Sequence, residues 1–305
     1  MTKYKRIVFV LLLTVLLFGV AMLISSGVKE QKRELALNEL KTGYVTPTGI
    51  PVYAESLDTG SEIVAETEKE IFTENFSDTE GTEDILISEK NEDTEKNDEP
   101  DILVVEDDPD AWYHYIDVDV SGLRSKNPDI VGWIYFENED ISYPLLYSGD
   151  DYYLRRDHTG ADSVAGSIYI EGHNKPDLSD VHTLIYGHNM RNLSMFGKLK
   201  YYKDEDGYYD NHRYFQIIME GVIYRYEIFA YKDVEQITGG IYTVFCEADD
   251  DFKDFVDTEI CKGSYIPADM DVNAYTHILT LSTCSSDSGE RFTISALRID
   301  EHIKR

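Results

Sequence analysis

The chain has 305 residues and carries 59 Asp and Glu against 28 Lys and Arg, a formal net charge of −31. Because nucleic-acid binding depends on clustered Lys and Arg, this balance excludes nucleic acid as a partner. The length allows one or two domains, and the acidic residues are unevenly distributed, which indicates segments of different character.

The first feature along the chain is an uncharged apolar run at residues 7–28, rich in Leu, Val, Ile and Phe. About 20 such residues suffice to cross a hydrocarbon core of roughly 30 Å. A cleaved secretory signal is the alternative, but the run is longer than a usual signal core and no clear Ala-x-Ala site follows. We therefore predict a single-pass membrane protein with an anchor at residues 1–28, a cytoplasmic N-terminus and an extracellular remainder of the chain.

The next segment, residues 29–110, begins with a polar stretch of helical appearance at 29–40. Residues 54–110 then contain 22 Asp and Glu against three Lys, without an apolar period. Low hydrophobicity combined with high net charge cannot offset the entropy of the chain. We predict an acidic, disordered extracellular stalk over residues 29–110.

Residues 111–305 are rich in aromatic residues and contain short strand-like runs separated by Gly, Asp and Asn, which is typical of a β-rich domain. The predicted strands are 131–136, 142–146, 166–171, 181–186, 214–219, 222–232, 275–283 and 291–299. Eight strands of this length favour a closed or nearly closed barrel. Apolar residues at helical spacing predict peripheral helices at 192–201 and at 247–262, the second one directly before the 275–283 strand.

The most informative run, TLSTC at residues 280–284, ends on a cysteine. Because side chains alternate along a strand, Leu279 and Leu281 suit the barrel interior, and Cys284 emerges on the opposite, more polar face. Arg291 opens the next predicted strand, so a hairpin would bring it beside Cys284.

Cys284, His188 and Arg291 supply a thiol, an imidazole and a guanidinium. These are the parts of a cysteine transpeptidase or protease: a nucleophile, a proton carrier and a group that stabilises an oxyanion. A lone cysteine at a strand end is more often a buried small side chain, and only the combination of the three groups favours catalysis.

Two further clusters have competing interpretations. Cys246 and Cys261 flank the predicted helix, and they could form a disulfide or be two reduced core residues. The spacing of His173, Asp180 and His182 is irregular for a metal site. We predict neither a metal nor a cofactor.

Several motifs together resemble the sortases, and among them class B. The resemblance covers about residues 117–298, and its motifs are NPDIVGWI at 127–134, YPLL at 143–146, DYYL at 151–154, YGHNM at 186–190, MFGKL at 195–199, TLSTC at 280–284, and Arg291. It implies a mainly β fold, an eight-stranded sortase-type barrel with peripheral helices, and a catalytic domain at residues 111–305.

The resemblance also implies a reaction. Cys284 would attack the carbonyl of a threonine in the C-terminal sorting signal of a surface protein, of the Asn-Pro-x-Thr or Ser-Pro-x-Thr type, and form a thioester. His188 would carry protons and Arg291 would hold the oxyanion, while Ser282, Thr283 and Leu154 would line the substrate groove. The acceptor would be an amine of a cell-wall peptide, on lipid II or peptidoglycan.

Two alternatives remain open at this point. One is a pilin-polymerising sortase, which differs only in the attacking amine. The other is a non-catalytic surface module that uses the barrel to bind a peptide or a wall component.

Overall fold

The computed structural model describes residues 3–48, 111–235, 240–284 and 289–304, except for the side chains of residues 3–13 and 284. These residues belong to one compact unit. Most of the predicted stalk, residues 49–110, lies outside the described residues. The first part of that predicted stalk, residues 29–48, forms the end of a helix and a short strand.

The N-terminal helix, α1 (Lys3–Tyr44), is 42 residues long and leads directly into β1 (Val45–Pro47). The apolar run of residues 7–28 is therefore the first half of a longer helix whose second half is charged. Within the part of the chain that the structure describes, no helix is both long enough and apolar enough to span a bilayer. This finding contradicts the predicted membrane anchor and the predicted single-pass localisation.

The connection from α1 to the barrel consists of short elements. β1 pairs in antiparallel fashion with β2 (Ile116–Val118), and α2 (Val120–Lys126) follows. The Asp119 carboxylate caps α2 by accepting a hydrogen bond from the Gly122 amide at 2.8 Å. Such a cap satisfies one of the free amides of the first turn.

Eight strands form a closed barrel. They are β3 (Ile130–Phe136), β4 (Ser142–Leu146), β5 (Ile168–Ile170), β6 (His182–Tyr186), β7 (Tyr214–Met219), β8 (Val222–Val234), β9 (Ile278–Cys284) and β10 (Arg291–Ile303). Their order around the barrel is β10-β8-β7-β3-β4-β5-β6-β9. β4 pairs with β5, and β6 with β9, in parallel; all other neighbours are antiparallel.

All eight predicted strands are present, so the prediction of a mainly β barrel is confirmed. The third predicted strand shortens to Ile168–Ile170, and the last two barrel strands in the chain differ by several residues at their ends. β10 continues to Ile303 because it pairs along the whole length of the long strand β8, with two irregularities in register.

The helix predicted at 247–262 is present in two parts, α5 (Asp250–Phe255) and a π-helical turn (Val256–Cys261). Its apolar side chains pack as one cluster against β8 and β9, and those that are buried are Phe252, Phe255, Val256 and Ile260. The helix predicted at 192–201 is a 3₁₀ turn (Gly197–Lys200) that leads into α3 (Tyr201–Asp204), and α4 (Tyr208–Asn211) follows.

The barrel interior is filled by a continuous apolar cluster to which β9 contributes Leu279 and Leu281, as alternation predicts. A second cluster lies outside the barrel wall, where Leu40 of α1 packs with β2, α2 and Trp133. The C-terminal half of α1 is therefore packed against the barrel.

Candidate active site

A cleft of about 320 Å³ lies where β5 and β6 end and β10 begins. Its lining residues are Asp151, Leu154, Ser167, Tyr169, Glu171, Tyr186, Gly187, His188, Tyr242, Ser282 and Arg291. Two of the three predicted catalytic residues, His188 and Arg291, therefore lie in one cavity, although 103 positions separate them in the sequence.

Cys284 is the last residue of β9, and its backbone pairs directly with Arg291 on β10. This register is the one that a hairpin between the two strands predicts. The side chain of Cys284 lies outside the described residues. The neighbouring residue on the same strand face, Ser282, lines the cleft.

His188 lies two residues after the end of β6, and the intervening Gly187 sets its position. A Cβ atom on Gly187 would lie 2.5 Å from side-chain atoms of both Ile168 and Phe196, so only glycine fits at position 187 without a shift of these side chains. The His188 Nε2–H group donates a hydrogen bond to the Leu154 carbonyl at 2.8 Å. In the neutral ring this hydrogen bond places the proton on Nε2, so Nδ1 is the nitrogen that gains or loses a proton.

The three predicted substrate-binding residues lie in different environments. Leu154 and Ser282 line the cleft. Thr283 is buried on the opposite face of β9, pairs with Phe292 of the barrel-interior cluster, and is absent from the described lining of the cleft. Its hydroxyl has no hydrogen-bond partner among the described residues.

One wall of the cleft combines tyrosines with carboxylates. Tyr186 and Tyr169 face each other across β6 and β5, with ring centroids 5.5 Å apart. Burial raises the pKa of Tyr186, and a hydrogen bond to Glu171 adds to the effect. Burial also raises the pKa of Tyr169; the charge of Asp151 acts in the same direction, and the charge of Arg291 opposes it. Both phenols are therefore hydrogen-bond donors at neutral pH.

The segment 240–245 covers the other side of the cleft. The Tyr242 hydroxyl lies 3.0 Å from the Ser282 hydroxyl, within hydrogen-bond distance. His182 on β6 holds this segment, because its Nδ1–H donates to the Thr243 carbonyl at 2.6 Å and its backbone amide donates to the Phe245 carbonyl at 3.1 Å. Burial lowers the pKa of His182 to about 4, so the ring is neutral and accepts a hydrogen bond from Thr280 at 2.9 Å.

Sequence reasoning did not identify several residues of this lining, namely Asp151, Ser167, Tyr169, Glu171 and Tyr242. Tyr186 also lines the cleft, and for this residue the sequence does give a signal, because Tyr186 and His188 share one strand face. The others come from loops and from strand pairs that are distant in sequence, so no spacing rule could find them.

Two further groups of residues were candidates for a metal site and for a disulfide. Among the described residues, no group of His, Cys, Asp and Glu could hold a metal ion. Cys246 and Cys261 are both free thiols, so the disulfide alternative is not formed. Burial raises the pKa of Cys261 to about 11, which keeps this thiol protonated and unreactive at neutral pH.

No protein-family model matches the chain. Sortase B from Listeria monocytogenes is 35% identical over 166 residues, which cover 54% of this chain and 66% of that protein. Sortase B from Staphylococcus aureus is 31% identical over 179 residues, which cover 57% of this chain and 72% of that protein. The chain thus spans about two thirds of the length of these relatives.

Solved structures agree with the sequence comparison. A Staphylococcus aureus sortase B–substrate complex superposes with a TM-score of 0.53 at 28% identity and covers 59% of this chain and 84% of that one. Sortase B from Listeria monocytogenes superposes with a TM-score of 0.50 at 34% identity and covers 58% of this chain and 98% of that one. The closed barrel, the order of the motifs and these two relatives lead to one conclusion: the chain belongs to the class B sortases, a family of cysteine transpeptidases.

Proposed function

We propose that this chain cleaves the C-terminal sorting signal of surface proteins after a threonine and transfers each protein to an amine of a cell-wall peptide, on lipid II or peptidoglycan. The observation that carries the proposal is that His188 and Arg291 line one cleft, at the end of the strand that terminates in Cys284. A structure of the related Staphylococcus aureus sortase B has been solved as a substrate complex, which supports substrate binding by this fold.

In the first half of the proposed reaction, the Cys284 thiol gives its proton to His188. The resulting thiolate attacks the threonine carbonyl carbon, and the carbonyl electrons move onto the oxygen. Arg291 stabilises this oxyanion, a contribution commonly worth a factor of about 10² to 10³ in rate. When the tetrahedral intermediate collapses, the carbon–nitrogen bond breaks. The leaving amine takes a proton from His188, and a thioester remains on Cys284.

In the second half, an incoming amine attacks the thioester carbonyl and gives a proton to His188. The carbon–sulfur bond then breaks, so the Cys284 thiolate is regenerated and a new amide joins the surface protein to the acceptor. Ser282 and Leu154 are proposed to contact the peptide, since both line the cleft. Thr283 is proposed to act only indirectly, because it is buried beneath the cleft.

The test is intact mass spectrometry of the full chain mixed with a panel of sorting-signal peptides and an amine acceptor. A product that joins the peptide's threonine to the acceptor should form with the wild type and with Cys246→Ala, which removes an exposed thiol as a matched control. It should be absent with Cys284→Ala. Arg291→Lys should lower the rate of cleavage by about 10²-fold, because an ammonium lacks the fork of the guanidinium.

Other results would change the conclusion. Cleavage without joining would indicate a protease or a missing acceptor, and joining only to a pilin lysine would indicate a pilin-polymerising enzyme. If no peptide forms an adduct with the folded protein, the chain is a peptide-binding module without catalysis.

A further inference from the structure

A second cavity, which we name the basic pocket, lies beside the cleft and has a volume of about 690 Å³. Its lining comes from the middle of α1 and from two loops of the barrel. The lining residues that carry charge are Lys29, Glu30, Arg33, Arg155, Asp162 and Arg191. The described part of this lining thus contains four cationic and two anionic side chains.

The basic pocket and the cleft share a wall. Leu154 and His188 line the cleft, whereas the residues that follow each of them, Arg155 and Asn189, line the basic pocket. The hydrogen bond from His188 Nε2 to the Leu154 carbonyl, 2.8 Å long, joins the two chain segments that form this wall. A molecule in the basic pocket is therefore next to the residue that would exchange protons with an attacking amine.

The charges of the basic pocket are not balanced internally. Arg33 is buried and paired with Glu30. Lys29, Arg155 and Arg191 are exposed, and none of the three forms an ion pair with any residue that the structure describes. Asp162 offsets one of these charges, so the pocket has an excess of about two positive charges. This local excess of positive charge contrasts with the net charge of −31 of the whole chain.

We propose that the basic pocket binds a phosphate group carried by the amine acceptor, the second substrate of the transpeptidation. The proposal rests on the proposed function and adds the location and charge of the acceptor site. A phosphate monoester carries a charge of about −1.5 to −2 at neutral pH, which matches the excess in the pocket, whereas a carboxylate would neutralise only half of it. The guanidinium groups of Arg155 and Arg191 are suited to two-pronged hydrogen bonds with phosphate oxygens.

The first experiment measures binding without catalysis. The full chain is titrated with pyrophosphate in a calorimeter, and so is the double variant Arg155→Gln, Arg191→Gln. The control is Arg124→Gln, Arg213→Gln, which removes the same total charge from two arginines outside the pocket, one exposed and one half-buried. We expect binding by the wild type and the control, and an affinity at least about tenfold weaker for the pocket variant, since each lost charged hydrogen bond has a large effect.

The second experiment measures the acceptor reaction. Phosphoethanolamine and ethanolamine are compared as acceptors, and the transfer rate with the first is divided by the rate with the second. This ratio cancels any change in thioester formation. We expect a ratio well above one for the wild type and the control, and a ratio near one for the pocket variant. Glycine compared with glycinamide tests a carboxylate in the same way.

The outcomes separate the two proposals. If peptides are cleaved but the ratio is the same in the wild type and the pocket variant, or if only carboxylate acceptors are preferred, the phosphate site is refuted while the proposed function stands. If no thioester forms, the proposed function fails, and pyrophosphate binding then decides the phosphate site alone. Absence of pyrophosphate binding by the wild type, or equal loss of binding in the control, refutes the site whatever the catalytic result.

Discussion

At the scale of single residues, His182 connects the barrel wall with the segment that covers the cleft. It is completely buried, its ring nitrogens contact Thr243 and Thr280, and Thr280 in turn lies 2.8 Å from the Ser295 hydroxyl. A buried imidazole with both nitrogens satisfied is stable only in its neutral form, because a charge there would be desolvated. The position of the cleft cover is therefore linked to the protonation state of one histidine.

This linkage predicts a pH dependence of stability. In the unfolded chain, His182 takes up a proton near pH 6.5, whereas burial lowers its pKa to about 4 in the folded protein. The contribution of neutral His182 to the free energy of unfolding is therefore complete above pH 6.5. It is lost as the pH falls toward 4, by up to about 1.4 kcal/mol per pH unit and about 3 kcal/mol in total. Urea unfolding between pH 4.5 and 7.5 should show a steeper acid loss in the wild type than in His182→Gln. His173→Gln, at an exposed site, should keep the wild-type slope; equal slopes in all three proteins would contradict the prediction.

A second residue-scale prediction concerns Gly187. The substitution Gly187→Ala places a methyl group 2.5 Å from Ile168 and Phe196, so the fold should lose about 1 to 3 kcal/mol from overpacking. Because His188 is the next residue, we also expect the rate of peptide cleavage to fall about tenfold or more, since small displacements of a reacting group have large effects. The matched control is Gly43→Ala in α1, where the new methyl group meets open space. It should stabilise the helix by about 0.5 to 1 kcal/mol and leave cleavage unchanged.

At the scale of elements, the active site depends on a parallel pair of strands that no turn connects. β6 and β9 lie side by side, with Tyr186 paired to Ser282, and this pairing brings the histidine loop to the cysteine strand. The segment 240–245 completes the site from outside the barrel, since Tyr242 reaches the Ser282 hydroxyl. The cleft is thus formed by three chain segments: the histidine loop, the cysteine strand and residues 240–245. Each segment is held in place by its own contacts.

The element-scale prediction concerns the cover of the cleft. Tyr242→Ala removes a ring that lines the cleft in which we propose the peptide binds. We therefore expect the KM for the sorting peptide to rise about five- to tenfold, with a smaller change in kcat. Tyr242→Phe keeps the ring and loses one neutral hydrogen bond, so its effect should stay within about threefold. Steady-state kinetics with the best peptide of the panel separates kcat from KM. A kcat loss in Tyr242→Phe as large as that in Arg291→Lys would show that the hydroxyl takes part in the chemistry.

The sequence predicted local features well and distant pairings poorly, for physical reasons. Short strand-like runs between turn residues identified all eight strands. Alternation then identified the inward face of β9, because side chains two apart point to the same side of a strand. The same alternation separates Ser282, which lines the cleft, from Thr283, which lies on the buried face. In contrast, Glu171 and Tyr242 enter the site through tertiary pairings, and nothing in their immediate sequence indicates this role.

At the scale of the whole molecule, residues that precede the predicted domain boundary at residue 111 pack on the barrel. The end of α1 packs on the barrel wall through Leu40, and β1 pairs with β2, so the chain on both sides of residues 49–110 is tied to one structure. The predicted boundary followed the change in composition. The composition changes at the acidic stretch. Whether the end of the helix α1 packs on the barrel depends on the shape of the barrel surface, which cannot be read from the sequence.

The corresponding prediction compares two leucines on α1. Leu40 is 7% exposed and packs in the cluster of β2, α2 and Trp133, whereas Leu35 is 62% exposed. In the full chain, Leu40→Ser should therefore lower the free energy of barrel unfolding by about 2 to 4 kcal/mol, because it removes a buried side chain and leaves a hydroxyl among apolar neighbours. Leu35→Ser should change this free energy by less than about 0.5 kcal/mol. Urea unfolding followed by tryptophan fluorescence measures both, since buried Trp133 belongs to the same cluster. Equal stability of the two variants would mean that α1 is an appendage of the barrel, and the catalytic unit would then begin after the acidic segment.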